Sequence, residues 1–200
     1  MHGASGYLWL GPETMTEAKD SSPLLTLWYK PGRTLQGLIQ SGGGGRAALV
    51  IVALFGLLQS FAVLRAGAQG SILLIGPLLA IAFLFLFGWL MRNFGRWFGA
   101  EARLKDLRLA LGWGLLPWLL VFAVLAWLSE QVVNPSALAR IYPYFFGLFL
   151  YGYVILLVCL KSALGLSFLK TFLCLIVVIL VSLFPFTLAI QLVLGPPPAL

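Results

Sequence analysis

Charged and titratable residues are scarce in this 200-residue sequence. Asp and Glu together number 6, His occurs once, and charged residues make up 10% against 61% hydrophobic residues. A soluble domain of this length needs far more polar surface, so the composition excludes one. The lone His2 and the few carboxylates form no Ser/His/Asp set, HExxH motif or carboxylate pair. We therefore expect no catalysis and no cofactor.

Cysteine is also rare. Cys159 and Cys174 both lie in apolar runs and lack CxxC or Cys/His spacing, so the sequence predicts no metal site. Each thiol lies near one end of its run, where lipidation is one interpretation. Burial as a small hydrophobic side chain is the commoner one.

Long apolar runs are what the sequence has in abundance. They cover residues 47–64, 71–91, 109–128, 141–160 and 171–194. None of the five contains a charged residue. Because about 20 helical residues cross a ~30 Å hydrocarbon layer, the sequence predicts an all-α integral membrane protein with five transmembrane helices. Pro77, Pro117 and Pro185 predict kinks, whereas Pro143 falls in the first turn of the fourth run, where proline is tolerated.

The cations are distributed unevenly around these runs. Of the 13 Lys and Arg, eleven lie in residues 19–46, 92–108 and 161–170, and only Arg65 and Arg140 lie on the other side. This bias predicts a cytoplasmic N-terminus and a non-cytoplasmic C-terminus. Residues 1–46 would then be a cytoplasmic tail and residues 195–200 an outer tail. Cations that flank apolar runs set topology and attract anionic lipid head groups, so we expect no nucleic-acid partner despite the net charge of +7.

The tail contains an expected interfacial segment. Trp28 and Tyr29 stand beside cations, as residues at the membrane–water interface do. Thr34 is placed to cap a short amphipathic helix. The glycine run at residues 41–46 lacks the GxxxxGK[ST] phosphate-loop pattern, so we interpret it as a flexible hinge before the first span.

The densest charge after this tail is the basic loop at residues 92–108, which holds five cations. Its glycines predict that the second span ends near Phe94 and that a new helix starts near Glu101, with Trp97 and Phe98 at the lipid interface. The candidate residues for binding lipid phosphate or an acidic partner are Arg92, Arg96, Trp97, Arg103, Lys105, Arg108, Lys161 and Lys170. The alternative is that these cations only set topology during insertion.

Two functions from different classes remain open. The first is a membrane scaffold or interaction protein that acts through residues 31–46, 92–108 and 161–170 on its cytoplasmic face, with a membrane-protein partner or a second copy. The second is a small oligomeric transporter or channel subunit lined by neutral polar side chains. Those side chains are Gln59, Ser60, Tyr142, Tyr144, Tyr151, Tyr153, Ser182, Thr187 and Gln191. Spans without charge favour the first, since coupled transport usually needs a titratable site.

Three stretches together resemble the Yip (Ypt-interacting protein) family, in particular its short bacterial members. They are WYKPGRT at residues 28–34, the loop and third-span start at residues 95–117 ending in LGWGLLP, and LKSALGLSFLK at residues 160–170. The positions that carry the motifs are Pro31, Thr34, Gly99, Pro117 and Gly165. The resemblance covers roughly residues 24–190.

The resemblance implies a five-span membrane protein without known catalysis. Eukaryotic members of the family are associated with membrane trafficking and Rab-type GTPases. This chain lacks their long acidic N-terminal domain and DLYGP-type motif. The resemblance therefore favours a bacterial inner membrane over a GTPase partnership.

The predicted topology can be tested with reporter fusions. We expect a reporter placed after Leu200 to be non-cytoplasmic and one placed at Gly99 to be cytoplasmic, because the cation bias puts these points on opposite sides. Alkaline phosphatase and fluorescent-protein activities measure the two locations. The same location for both reporters would contradict the five-span topology.

Overall fold

The computed structural model describes residues 22–131 and 135–194, and no strand occurs among them. Their backbone forms eight helices. These are α1 (Pro23–Tyr29), α2 (Pro31–Ser41), α3 (Gly45–Arg65), α4 (Ile72–Trp97), α5 (Leu104–Gly114), α6 (Leu116–Gln131), α7 (Pro135–Leu164) and α8 (Phe168–Leu194).

Five stretches are long and apolar enough to cross a membrane, which confirms the predicted all-α, five-span fold class. They are Gly45–Arg65, Ile72–Trp97, Leu104–Leu128, Arg140–Leu164 and Phe168–Leu188. The side of the membrane on which each terminus lies stays a prediction. Residues 1–21 of the predicted tail and the predicted outer tail at 195–200 lie outside the described residues.

The third span is built from two helices and starts earlier than predicted. α5 begins at Leu104, so Lys105 and Arg108 lie inside a membrane-length stretch. The predicted run at residues 109–128 itself contains no charge, and each of the other four membrane-length stretches also includes Lys or Arg near an end. α5 ends at Gly114 and α6 begins at Leu116, which puts Pro117 in the first turn of α6. Leu115, the single residue between the two helices, keeps a helical conformation and donates to the Leu111 carbonyl, so the interruption before Pro117 is local.

Two other predicted helix edges also differ from the structure. α4 continues to Trp97, beyond the expected end near Phe94, and the next helix starts three residues after Glu101. α7 begins at Pro135, so Pro143 lies in its interior and not in its first turn. Helices of lipid-exposed segments continue past the apolar run because lipid offers no acceptor for a free backbone N–H.

α3 and α4 cross through small residues. A Cβ added at Gly56 would lie 2.7 Å from the Ala80 Cβ and 2.7 Å from the Gly76 carbonyl oxygen. The Ser60 hydroxyl donates to the Gly56 carbonyl at 2.8 Å, so this buried polar group is satisfied by its own helix. The two pairs of small residues, four apart on each helix, let the backbones approach closely.

α5 fills the space between α3 and α7 in the same way. A Cβ at Gly112 would lie 2.6 Å from the Ala48 Cβ and 2.9 Å from the Ala48 Cα. On its other side, a Cβ at Gly114 would lie 3.2 Å from the Leu156 Cα. α5 is therefore the central element of the bundle, and its neighbours determine where its charged first turns lie.

The tail packs on α7, and its structure differs from the prediction at Thr34. α2 begins at Pro31, so Thr34 lies within the helix, where its hydroxyl donates to the Lys30 carbonyl at 3.0 Å instead of capping the first turn. The Trp28 ring stacks on Tyr151 with 6.2 Å between centroids, and the Tyr151 hydroxyl donates to the Trp28 carbonyl. The hydrogen-bond partner of the Tyr151 hydroxyl is thus the backbone of α1.

The glycine run is a defined turn and not a free hinge. Gly42 and Gly44 have φ angles of 65° and 78°, in the region that favours glycine. The Trp113 indole Nε1 donates to the Gly44 carbonyl at 3.2 Å and ties the turn to α5. The start of α3 is therefore held against α5 at both Gly44 and Ala48.

The close contact at Gly112 generates a stability prediction. We expect Gly112→Ala to lower the free energy of unfolding, because overpacking costs about 1–3 kcal/mol and outweighs the ~1 kcal/mol gain in helix propensity. Thermal unfolding of the detergent-purified protein, followed by circular dichroism, measures the change. The control is Gly147→Ala, a helical site with nothing within 4 Å, which we expect to unfold no earlier than the wild type. Equal melting temperatures for the two variants would contradict the packing.

Candidate functional site at the basic end

Three basic segments meet at one end of the helix bundle. Short loops at residues 98–103 and 165–167 bring the end of α4, the start of α5, the end of α7 and the start of α8 to this end. The α1–α2 junction joins them, since a Cβ at Gly32 would lie 3.2 Å from the Ser162 Oγ. We call this region, with its loops, the basic end.

Glycine caps make the two loops tight. Gly99 has a φ of 91°, its N–H donates to the Arg96 carbonyl at 3.0 Å, and the Ala100 N–H donates to the Gly95 carbonyl at 2.9 Å. This is a Schellman motif, which closes the end of α4. Gly165, with a φ of 68°, ends α7 through a single bond from its N–H to the Lys161 carbonyl at 3.0 Å. These bonds give partners to the Gly95 and Arg96 carbonyls at the end of α4 and to the Lys161 carbonyl at the end of α7.

A cavity of about 500 Å³ opens at the α4–α5 corner. It is lined by Arg92, Arg96, Gly99, Ala100, Glu101, Ala102, Arg103 and Leu104, and we call it the arginine pocket. The lining thus includes three arginines and a single acidic residue. No ion pair joins these arginines to a carboxylate of the described residues, and the buried Nε of Arg92 has no hydrogen-bond partner there. The pocket carries excess positive charge and unused donors, which an anion would satisfy.

A second cavity, of about 430 Å³, connects the two loops. Gly99, Glu101 and Arg103 line it from the α4–α5 side, and Ser162 and Gly165 line it from the α7–α8 side. The predicted segments at residues 92–108 and 161–170 are thus neighbours. The glycines that end α4 and α7 stand at the same cavity.

The predicted cations do not all come together. Arg92, Arg96 and Arg103 share the arginine pocket. Lys105, Lys161 and Lys170 are exposed and line neither cavity. Each of these lysines lies on the outer face of its helix, which the position of a residue in the sequence does not reveal.

Trp97 and Phe98, the pair predicted to lie at the lipid interface, differ in how far they are exposed. Trp97 is 79% exposed and meets the Phe94 ring edge-on, with 4.8 Å between centroids. Phe98 is only partly buried and packs against the core, so it does not share the exposed position of Trp97. The difference follows from the helix end, because Phe98 is already the C-cap of α4.

Arg108 departs most from its predicted place in a loop. Its guanidinium carbon lies 4.0 Å from the centroid of the Phe85 ring. A Cβ at Gly88 would lie 3.2 Å from the Arg108 Cγ, so the glycine leaves room for the side chain to run close along α4. Sequence reasoning missed Phe85 and Gly88. The signal for Gly88 was its position one turn before Arg92, on the same face of α4.

Several neutral polar residues of the spans bond within their own helix or lie on the outside of the single chain. Ser182 donates to the Ile179 carbonyl at 2.9 Å, and Thr187 donates to the Leu183 carbonyl at 2.9 Å. Tyr142 and Tyr144 are 70% and 76% exposed on the outside of the protein. Hydroxyls that bond their own helix need no solute. Among residues 22–131 and 135–194, no three His, Cys, Asp or Glu side chains are grouped as metal ligands.

Comparison with known families decides the relationship. The family model described as the Yip1 domain matches residues 25–189. The chain belongs to the Yip1 family. A search of curated proteins and a search of solved structures each find no match. The Yip1 family is a family of membrane proteins and is not a known enzyme family.

The residues that carried the family resemblance are structural in this Yip1 domain. Gly99 and Gly165 end helices at the basic end, and Pro31 starts α2. Thr34 bonds the turn before α2. Pro117 is fully buried against α7, where a Cβ at Gly152 would lie 3.3 Å from the proline Cβ. These residues shape the basic end and the break in the third span.

Both cysteines of the Yip1 domain are buried. Cys159 and Cys174 are each 0% exposed, and the Cys174 thiol donates to the Met91 carbonyl at 4.0 Å. This burial favours packing over lipidation, the two interpretations that the sequence left open.

Thiol labelling tests this burial. We expect neither cysteine of the folded, detergent-purified protein to react with N-ethylmaleimide within minutes, because reagent cannot reach them, and both to react after denaturation. The matched control is Ser167→Cys, which adds a thiol at an exposed loop position. Mass spectrometry should find one label on this variant and none on the wild type. Labelling of the folded wild type would contradict the packing of α7 and α8.

Proposed function

We propose that this Yip1-family protein is a non-enzymatic membrane interaction module of the bacterial inner membrane, which binds anionic phospholipid head groups through its basic end. In this proposal the basic end faces the cytoplasm, as the cation bias predicts. The observation that carries the proposal is the arginine pocket, a cavity of about 500 Å³ whose lining includes three arginines and a single glutamate.

The chemistry of the pocket suits a phosphate. A guanidinium can donate two parallel hydrogen bonds to phosphate oxygens, and such charge-assisted bonds are stronger than neutral ones. The buried Arg92 Nε lacks an acceptor among the described residues. A phosphate in the pocket would supply one, and it would offset the repulsion among Arg92, Arg96 and Arg103.

The level of the pocket suits a lipid head group. Its walls are the last residues of α4 and the first residues of α5, and both helices belong to membrane-length stretches. Trp97, 79% exposed beside the pocket, is the kind of residue that anchors a protein at the head-group layer. A site at this level meets phospholipid phosphates at far higher local concentration than any soluble anion.

The interaction role is also supported over transport. The hydroxyls of Ser60, Ser182 and Thr187 bond carbonyls of their own helices. These groups therefore offer no free donors to a solute within the described spans. At the basic end, by contrast, the buried Arg92 Nε has no hydrogen-bond partner among the described residues.

Removing two pocket cations tests the proposal. We expect Arg96→Gln with Arg103→Gln to weaken binding of short-chain phosphatidylglycerol at least tenfold, equivalent to about 1.4 kcal/mol, because several charge-assisted bonds are lost. Native mass spectrometry of the detergent-purified protein, titrated with the lipid, measures the affinity. Phosphatidylcholine serves as the zwitterionic comparison.

The control is Lys105→Gln with Lys170→Gln, which removes the same charge from exposed positions outside the pocket. We expect this control to change the affinity by no more than about threefold. Equal losses in the two double variants would show a diffuse charge effect and contradict a pocket. If neither double variant loses lipid affinity, the cations act only as topology signals. If lipid binding is retained but a co-purified protein is lost, the partner is an acidic protein instead.

A further inference from the structure

Arg108 reaches a depth that a head-group contact does not explain. Phe85, over which its guanidinium lies, is the fourteenth of the 26 residues of α4. It stands seven residues from Arg92, or about 10 Å along the helix axis toward the middle of the span. The surrounding residues of α4 are apolar. A permanently charged group is thus held within the hydrocarbon-facing part of the bundle.

The contacts of Arg108 leave its donors unused. The ring of Phe85 meets one face of the guanidinium, and a cation–π contact satisfies none of the five N–H groups. The Nε is buried and has no hydrogen-bond partner among the described residues. No ion pair joins the guanidinium to a carboxylate there either. Phe85 is 42% exposed, so the site opens on the lipid-facing side of the protein.

Arg92 lies on the same face of α4. Positions 85, 88 and 92 follow the i, i+3, i+7 spacing of one helix face. The Arg92 Nε is also buried without a partner in the described part of the chain. Arg108 of α5 thus lies along the face of α4 that carries Phe85, Gly88 and Arg92, and this α4–α5 seam has two arginines whose buried Nε atoms lack a partner among the described residues. We call it the α4–α5 groove.

We propose that the α4–α5 groove holds one phospholipid by its phosphate, below the head-group layer, with Arg108 as the deep contact and Arg92 as the outer one. A phosphodiester supplies acceptors for both guanidinium groups. The lipid is favoured over free phosphate because the groove opens on the apolar surface of α4, where acyl chains continue beside Phe85. An unoccupied groove would leave a charge in hydrocarbon, which is costly.

The inference rests on the proposed function in placing lipid phosphate at this end of the protein, but it differs in depth and selectivity. The arginine pocket selects anionic head groups at the surface. The groove binds the phosphate that every phospholipid carries. We therefore expect its lipid to be retained tightly, whatever the charge of the head group.

Lipid retention tests the inference. The protein is purified in a non-ionic detergent, washed extensively, and its phospholipid content is measured by phosphorus assay and native mass spectrometry. We expect the wild type to retain about one phospholipid per chain, and Arg108→Gln to lose most of it. The matched control Lys105→Gln, three residues away and exposed, should retain it. Equal lipid content in wild type and Arg108→Gln would overturn the inference, as would a wild type without bound phospholipid.

Two further variants separate lipid binding from a structural role. Arg108→Lys keeps the charge but loses the planar fork, so we expect at least a halving of retention; unchanged retention would overturn the assignment to bidentate phosphate contact. Arg108→Gln removes a charge from an apolar region, so its melting temperature should not fall below that of the delipidated wild type. A lower melting temperature with unchanged lipid content would mark Arg108 as structural only.

The two proposals can fail separately. If the groove fails and the pocket holds, Arg108→Gln keeps its lipid while Arg96→Gln with Arg103→Gln loses phosphatidylglycerol affinity. If the pocket fails and the groove holds, the retained lipid depends on Arg108 and Arg92 and is unchanged by Arg96→Gln with Arg103→Gln. If neither variant changes lipid binding, both proposals are wrong.

Discussion

Backbone hydrogen bonding in a medium without water is the constraint on which this structure depends. Within lipid, each N–H and C=O must be satisfied inside the chain, which leaves helices as the means to span it. The same requirement applies where the helices end. At the basic end, Gly99 and Gly165 adopt positive φ angles in tight closing turns. These short turns hold the loops close to the bundle, so the cations of neighbouring loops are gathered and not dispersed.

Close contact between helices follows from a second property of lipid, which offers no hydrophobic driving force for association. Packing and hydrogen bonds must hold the helices together. Gly56 against Ala80, and Gly112 against Ala48, let the backbones meet directly. Because α5 is seated against α3 in this way, its first turns run beside α4. This seating brings Arg108 over Phe85 and Arg103 beside Arg96.

The charge asymmetry then has different consequences at different depths. Exposed lysines at the basic end are solvated and act at long range, where salt screens them. Arg92 and Arg108 are partly buried, so their unused donors matter more than their charge alone, whereas Arg96 and Arg103 are exposed like the lysines but line the pocket. The functional proposals therefore concern Arg92, Arg96, Arg103 and Arg108, and treat Lys105 as a control.

By itself the sequence determined the number of spans, the helical class and the Yip1 family, because apolar length and motif order are properties of the linear chain. It also identified Gly99 and Pro117 as positions that carry the family motifs. Only the tertiary structure decided that the third span starts at Leu104 and breaks before Leu116. It alone separated Arg108 from the other cations of its segment, since the depth of a long side chain depends on which neighbour, here Gly88, leaves room for it.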